Sequence, residues 1–342
     1  MREVPKVLTL VLAVTGALAA SKPGTIDAAT ALAHAREVTN IKSEGAPPFH
    51  LRASLWIAEA KQDGKEGRYE IWWRAPSSWR EEIDYPGRHQ IAGQDGERAW
   101  ILTDAPYQSL RIFDVVNAID VAASAKLPAG GTIESVKESH RAGTKIRLRQ
   151  HGRFPWSEII IDAQIGAPIR HETGPSASAM QRFRTTIEYE NYRPWHERSF
   201  PALIRRRDAS KTVLEIRVME LEDLDSDAAR WSRPDGATNR PICTDEELAA
   251  ELSCDIGPEM PLDTPQFPGT RSSGTASVRA VLARDGRVHD IVVVDSLNFE
   301  ADGELIRYLE SWRCRPLTCG GVPVDAEIFE SRPFSYVSAS SP

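Results

Sequence analysis

Beyond its first twenty residues the sequence has no apolar run long enough to cross a membrane as a helix, which takes about 20 residues. A polytopic membrane protein is therefore excluded. Positive charge is not in excess either. Lys and Arg number 42 against 49 Asp and Glu, a formal net charge of −7 with a pI near 5.7. A nucleic-acid-binding surface needs the opposite balance, so no nucleic-acid partner is expected. Motifs of familiar chemistry are missing: there is no H-E-x-x-H, G-x-S-x-G, P-loop or G-x-G-x-x-G. The eight histidines (34, 50, 89, 140, 151, 171, 196 and 289) are scattered, and His171-Glu172 and His196-Glu197 are adjacent pairs that share no helix face. Paired carboxylates abound, but no pair stands out. The expectation is a non-enzymatic protein with no catalytic residues, no metal and no cofactor.

What is present starts with a core. At 342 residues and 41% apolar, the chain is long enough for two domains and apolar enough to fold. Arg2 and Lys6 precede the nearly all-apolar stretch Val7–Ala20, and Ala17-Leu18-Ala19 is a small-x-small cleavage signal. This pattern reads as a cleaved secretory signal over residues 1–19, which exports the chain. The alternative is an uncleaved inner-membrane anchor through residues 7–20, and at 14 residues that run is short for one. Export makes the four cysteines, Cys243, Cys254, Cys314 and Cys319, disulfide candidates. Cys314 and Cys319 flank the turn-like Arg315–Thr318, and Cys243 and Cys254 flank the capping box Thr244–Glu247. Local pairing is the first expectation. Metal binding is the alternative, and neither a C-x-x-C spacing nor a nearby His supports it.

Along the chain a helix is predicted after the signal, with Ile26, Ala29, Leu32, Ala33 and Val38 near helical spacing. The period then changes to two. Phe49, Leu51, Ala53, Leu55 and Ile57 alternate, as do Tyr69, Ile71, Trp73 and Ala75, with a turn predicted over Gln62–Gly67. Trp79–Tyr85, Gln90–Gly93 and Ala99–Thr103 continue an antiparallel meander, with Asp95-Gly96 as a hairpin signal. Leu110, Phe113, Val116, Ile119 and Ala123 mark a helix within Tyr107–Ala123. Further strands are predicted over Thr132–Lys137, Lys145–Gln150, Ser157–Asp162, Pro168–Glu172, Gln181–Tyr192 and Lys211–Leu221. The basic triplet Arg205–Arg207 reads as a solvated strand end, with a phosphate site as its alternative. The fold class is thus α+β: a curved antiparallel sheet or half-barrel with helices over residues 25–225, then a Pro-rich linker with a short helix over 226–266. A small ββαβ unit follows over 267–337, with strands from Thr275 to Leu282, Val288 to Val294 and Val322 to Phe329 and a helix from Asp302 to Trp312. Trp56 and Trp72 are predicted to face each other across a hairpin centred on Gly64; an exposed aromatic surface is the alternative.

Several motifs of the C-terminal unit occur in a family's order. They are Phe267-Pro268, Gly274–Val278, Asp285-Gly286-Arg287-Val288, Asp295-Ser296, Ser311–Pro316 and Gly321–Val324. This unit resembles the C-terminal domain of the TonB family, with Cys314 standing where the family has an aromatic residue. The resemblance implies that Val324, Asp325, Ala326, Glu327, Ile328 and Phe329 form an edge strand that binds an envelope protein, such as an outer-membrane receptor, by strand addition. Its alternative is an edge protected by Asp325 and Glu327. Leu305, Tyr308, Leu309 and Trp312 share one helix face, and Trp312 is expected in the core. The short N-terminal run and modest spacer depart from energy-transducing members, so the chain is not expected to harvest a proton gradient itself. The N-terminal half, through His50–Leu55, Gly67–Trp72, Gln94–Trp100 and Phe200-Pro201, resembles LolA/LolB-like lipoprotein carriers. That likeness implies an apolar cavity for lipid or lipoprotein acyl chains, unless a helix fills it. Two functions follow: an envelope adaptor through Val324–Phe329, or a periplasmic carrier using the N-terminal cavity.

Overall fold

A computed structural model describes residues 27–59, 62–127, 131–139, 143–149, 156–174, 184–224, 231–241, 254–255, 273–295 and 299–335. The signal-like segment, Cys243 and the short helix expected after Thr244 lie outside the described residues. Helix α1 (Ala28–Thr39) starts at Asp27, whose carboxylate accepts from the Thr30 amide at 3.2 Å. It buries Ala28, Ala31, Leu32 and Ala35 and leaves Ala29 and Ala33 exposed, so its inward face is turned from the one expected.

A meander follows: β1 (Phe49–Glu59), β2 (Gln62–Ala75), β3 (Ser78–Tyr85), β4 (Arg88–Asp95) and β5 (Arg98–Thr103). Each pairs antiparallel with the next. Two-residue turns join β3 to β4 and β4 to β5, and Gly87 and Gly96 supply the positive φ angles, 81° and 61°, that such turns need. Helices α2 (Leu110–Ile119) and α3 (Val121–Ser124) come next, split at Asp120. A second run then returns: β6 (Thr132–Ser139), β7 (Gly143–Arg149), β8 (Trp156–Ile161), β9 (Pro168–Gly174), β10 (Thr185–Trp195), β11 (Arg198–Asp208) and β12 (Lys211–Asp223). Strand β12 pairs with β1 and welds the two runs into one open curved sheet, while β13 (Thr238–Asn239) lines β5. The thirteen strands run β13-β5-β4-β3-β2-β1-β12-β11-β10-β9-β8-β7-β6.

Three expectations are corrected here. Gln62–Gly67 is not a turn but the start of β2, because β1 and β2 stay paired out to Glu59 opposite Gln62. The register therefore shifts, Trp56 faces Glu66, and Trp72 faces His50 and stacks on its ring at 5.0 Å. The predicted Trp56–Trp72 pair does not exist. Trp56 instead lies over Gly64, where an added Cβ would sit 2.1 Å from the indole. The second correction is β11, a full strand between Tyr192 and Lys211, where none is expected. With it, Arg206 is a buried residue of the sheet, 4% exposed, and no solvated strand end. Third, residues 231–241 of the expected linker run along the sheet: β13 pairs with β5, and Arg74 lies over the buried Trp231 ring at 5.0 Å.

In the C-terminal unit the three strands of the main sheet and the helix come in the order ββαβ, with short strand pairs beside them. Strands β14 (Cys254–Asp255), β15 (Ser273–Leu282) and β16 (Val288–Asp295) precede α4 (Phe299–Ser311), and β17 (Arg313–Cys314), β18 (Thr318–Cys319), β19 (Val322–Pro323) and β20 (Ala326–Ser335) follow it. The three-stranded sheet has the order β16-β15-β20. Leu305, Leu309 and Trp312 pack on Val278, Ala280, Leu282, Ala326 and Ile328, and Trp312 is a core residue as expected. Cys254 and Cys314 sit opposite each other in the β14–β17 pair and form a disulfide. Local pairing is overturned: residues 60 apart are tied by a strand pair, while Cys319, placed in the β18–β19 hairpin, is disulfide-bonded elsewhere than to Cys314.

Candidate functional site

The inner face of the large sheet is rich in aromatic residues because the period-two pattern puts them all on one side. Phe49, Tyr69, Trp73, Tyr85, Tyr189, Trp195 and Phe200 are all buried there, among Leu51, Leu55, Ile57 and Ile216. Phe49 stacks on Trp73 at 5.5 Å and meets Trp195 edge-on at the same distance. The cover over this face is thin. Ile112, Val115, Ala118 and Ile119 of α2, with Val121 of α3, close the cluster. Helix α1 covers a second patch on β7 and β8. The bare alternative of a helix packed onto the inner face is thus what the structure contains.

Helix α2 is not an ordinary core helix. Ser109 caps it through the Ile112 amide and shares a 2.8 Å hydrogen bond with the Tyr85 hydroxyl. Five residues after Ser109, Asp114 has no exposed surface. Its carboxylate contacts Arg111 (2.8 Å), Arg206 of β11 (2.8 Å) and Arg279 of β15 (2.7 Å). Burial alone would raise the Asp114 pKa, but Arg206, Arg279 and Arg111 outweigh it and hold the carboxyl down at about 2. Arg279 in turn donates to Glu327 at 2.6 Å. The network therefore joins the cover helix, the large sheet and the C-terminal unit.

The expected partner-binding strand is mostly committed to internal contacts. Ala326 and Ile328 are in the C-terminal core and Val324 packs against it. Asp325 accepts from the Gln108 amide (3.0 Å) and from Arg284 (2.9 Å), and Glu327 holds Arg279. Phe329 is half-buried opposite Arg279. Asp325 and Glu327 are thus not solvent-facing guards of an edge. Among the described residues β20 still ends its sheet.

Sequence reasoning missed the network. A signal existed at each end: Asp114 interrupts the stripe Leu110–Asp114–Ala118 on the buried face of α2, and Arg279 sits between Val278 and Ala280 in a stretch of β15 buried from Ser277 to Leu282. Elsewhere the outer face carries a ladder of ion pairs, among them Arg205 with Glu190 (2.6 Å) and Glu215 (2.8 Å), and Arg207 with Glu188 (3.3 Å). His50 lies between Glu70 (2.9 Å) and Glu222 (3.3 Å) on that face. Among the described residues no His, Cys, Asp or Glu group is arranged to hold a metal ion, and no helix is long and apolar enough to cross a membrane.

No known family matches the chain, and no curated protein does. Solved structures similar to it include a LolA superfamily protein from Nitrosomonas europaea, at 16% identity and a TM-score of 0.41, covering 61% of this chain and 99% of that one. A putative outer membrane lipoprotein-sorting protein domain from Vibrio parahaemolyticus is similar at 9% identity and a TM-score of 0.40, covering 60% of this chain and 96% of that one.

Proposed function

We propose that this chain is an exported, non-enzymatic binding protein that takes an acyl chain of a lipid or lipoprotein between the aromatic face of its large sheet and the α2–α3 cover. The observation that carries the reading is the contrast between the two layers. The sheet side is a continuous aromatic and aliphatic surface, and the cover is a ten-residue helix and a four-residue one, with a buried carboxylate in the longer. A helix kept for core packing alone would present an apolar residue at position 114, since an ion pair of this kind is seldom more stabilising than well-packed apolar groups. Charge at the seam makes the cover separable, and the aromatic face beneath is suited to hydrocarbon.

Native mass spectrometry of the protein purified from its own envelope tests this. A lipid of defined mass is expected on the intact protein and is expected to be lost in Trp195→Asp, which places a charge on the aromatic face. An empty wild-type protein that also fails to take up a fluorescent fatty acid would sink the proposal. The adaptor reading, with strand addition at Val324–Phe329, retains the single favourable feature that β20 ends its sheet; its side chains Asp325 and Glu327 are already engaged.

A further inference from the structure

Helix α2 depends on the C-terminal unit at its N-terminus. Its first turn has no acidic residue of its own. A helix N-terminus leaves amides unpaired and favours negative charge nearby, and here both needs are met from a distant part of the chain. Asp290 of β16 accepts from the Leu110 amide at 2.9 Å and from the Tyr107 hydroxyl at 2.8 Å. Asp325 accepts from the Gln108 amide at 3.0 Å, and Tyr107 stacks on His289 at 4.2 Å. One turn into the helix, Arg279 supplies the buried countercharge of Asp114.

The C-terminal strands are shaped for this contact. The register of β15 with β16 shifts between Arg279 and Val281, leaving Asp290 in a bulge with φ 50°, a left-handed conformation that costs a non-glycine residue. A bulge re-aims a side chain, and this one presents the Asp290 carboxylate to α2. Both faces of β15 are buried: Val278, Ala280 and Leu282 meet α4, while Ser277, Arg279 and Val281 are on the opposite face, where Arg279 reaches α2.

We propose that the C-terminal unit is a removable clamp that holds the α2 cover shut, so that its departure opens the aromatic face. Without it, α2 loses an amide acceptor at its first residue, the two carboxylates at its positive end and one partner of Asp114. The inference rests on the acyl-chain reading only for what lies beneath the cover, not for the clamp itself.

The test is hydrogen–deuterium exchange on the full chain, read over residues 108–119, which hold α2, and 277–282 of β15, together with binding of a dansylated fatty acid. Asp290→Ala is expected to speed exchange in α2 about tenfold with β15 unchanged, and to tighten probe binding about tenfold, because the open state is more populated. Asp290→Asn, which keeps an acceptor, is expected to fall between. Unchanged exchange in α2 would overturn the clamp whatever the probe does. Faster exchange with unchanged probe binding upholds the clamp and refutes the acyl-chain reading. Should β15 loosen as well, Tyr107→Phe, which spares the C-terminal unit's own contacts, decides between the same outcomes.

Discussion

Asp114 shows how far a single side chain can reach in this fold. Its charge is stable in the interior only because three guanidinium groups surround it, two of them brought from β11 and β15. Replacing it with Ala leaves Arg206 and Arg279 buried without that partner, and a loss of about 3–5 kcal/mol is expected in urea denaturation. Asp114→Asn, which keeps the size but not the charge, should fall part-way. The carboxyl is held at about 2 against 3.8, so its folded form binds fewer protons than the unfolded one; this stabilisation is complete above pH 3.8 and is lost as the pH falls towards 2. His171 behaves alike at milder pH. It stands opposite Ile159 and Ile187, and burial pulls its pKa from 6.5 to about 4. Between those values the unfolded chain takes up a proton that the folded chain refuses, so stability falls as the pH drops from 6.5 to 4. Denaturation midpoints from pH 7 to 4 check this; a His171→Leu variant should show a shallower decline.

Elements were legible wherever a residue's neighbours in sequence set its environment, and illegible where a partner far along the chain did. The alternation in β1 reports burial on one face, and Phe49, Leu51, Ala53, Leu55 and Ile57 are all within that core. Register is another matter. Gln62–Gly67 reads as a turn from composition, yet pairing with β1 holds it as strand, because Trp56 closes over Gly64 and the vacancy of that glycine is filled from across the hairpin. The same device recurs in β4 and β5, where Gly93 lies opposite Trp100 and a Cβ on it would be 2.3 Å from the indole. Gly93→Ala is therefore expected to displace a buried tryptophan and to cost about 1–3 kcal/mol, visible as a lower melting temperature. Strand β11 is illegible because Arg205–Arg207 looks solvated; only the tertiary placement of Asp114 explains Arg206 in its interior. The same holds for β15, whose alternation suggests one wet face and whose second face is covered at Ser277, Arg279 and Val281.

At the scale of the whole molecule, the C-terminal unit is held by bonds of different kinds. Noncovalent ties run from the C-terminal sheet to α2 through Arg279, Asp290 and Asp325. A covalent one runs within the C-terminal part, where Cys254 is fastened to Cys314 beside the β15–β16 turn: the Cys314 amide donates to the Gly286 carbonyl at 2.8 Å. The disulfide therefore supports the strand pair that carries Arg279 and Asp290, and its removal should be felt beyond its own loop. Cutting a crosslink between residues 60 apart in sequence typically costs about 2–4 kcal/mol, chiefly by freeing the unfolded chain. In the Cys254→Ser/Cys314→Ser double variant, Trp312, which packs in the C-terminal core, should lose its burial at lower denaturant than the tryptophans of the large sheet. Selective reporting is feasible if Trp312 is the single tryptophan left in a background with the other eight changed to Phe, and hydrogen exchange over β15 provides the same readout in the unaltered background. Coincident loss of both regions would mean that the ion network welds the two parts into one cooperative unit. Separate loss, with β15 first, is expected: a few buried charges, two amide contacts and one tyrosine hydroxyl couple the parts, but each has its own apolar core to keep it folded.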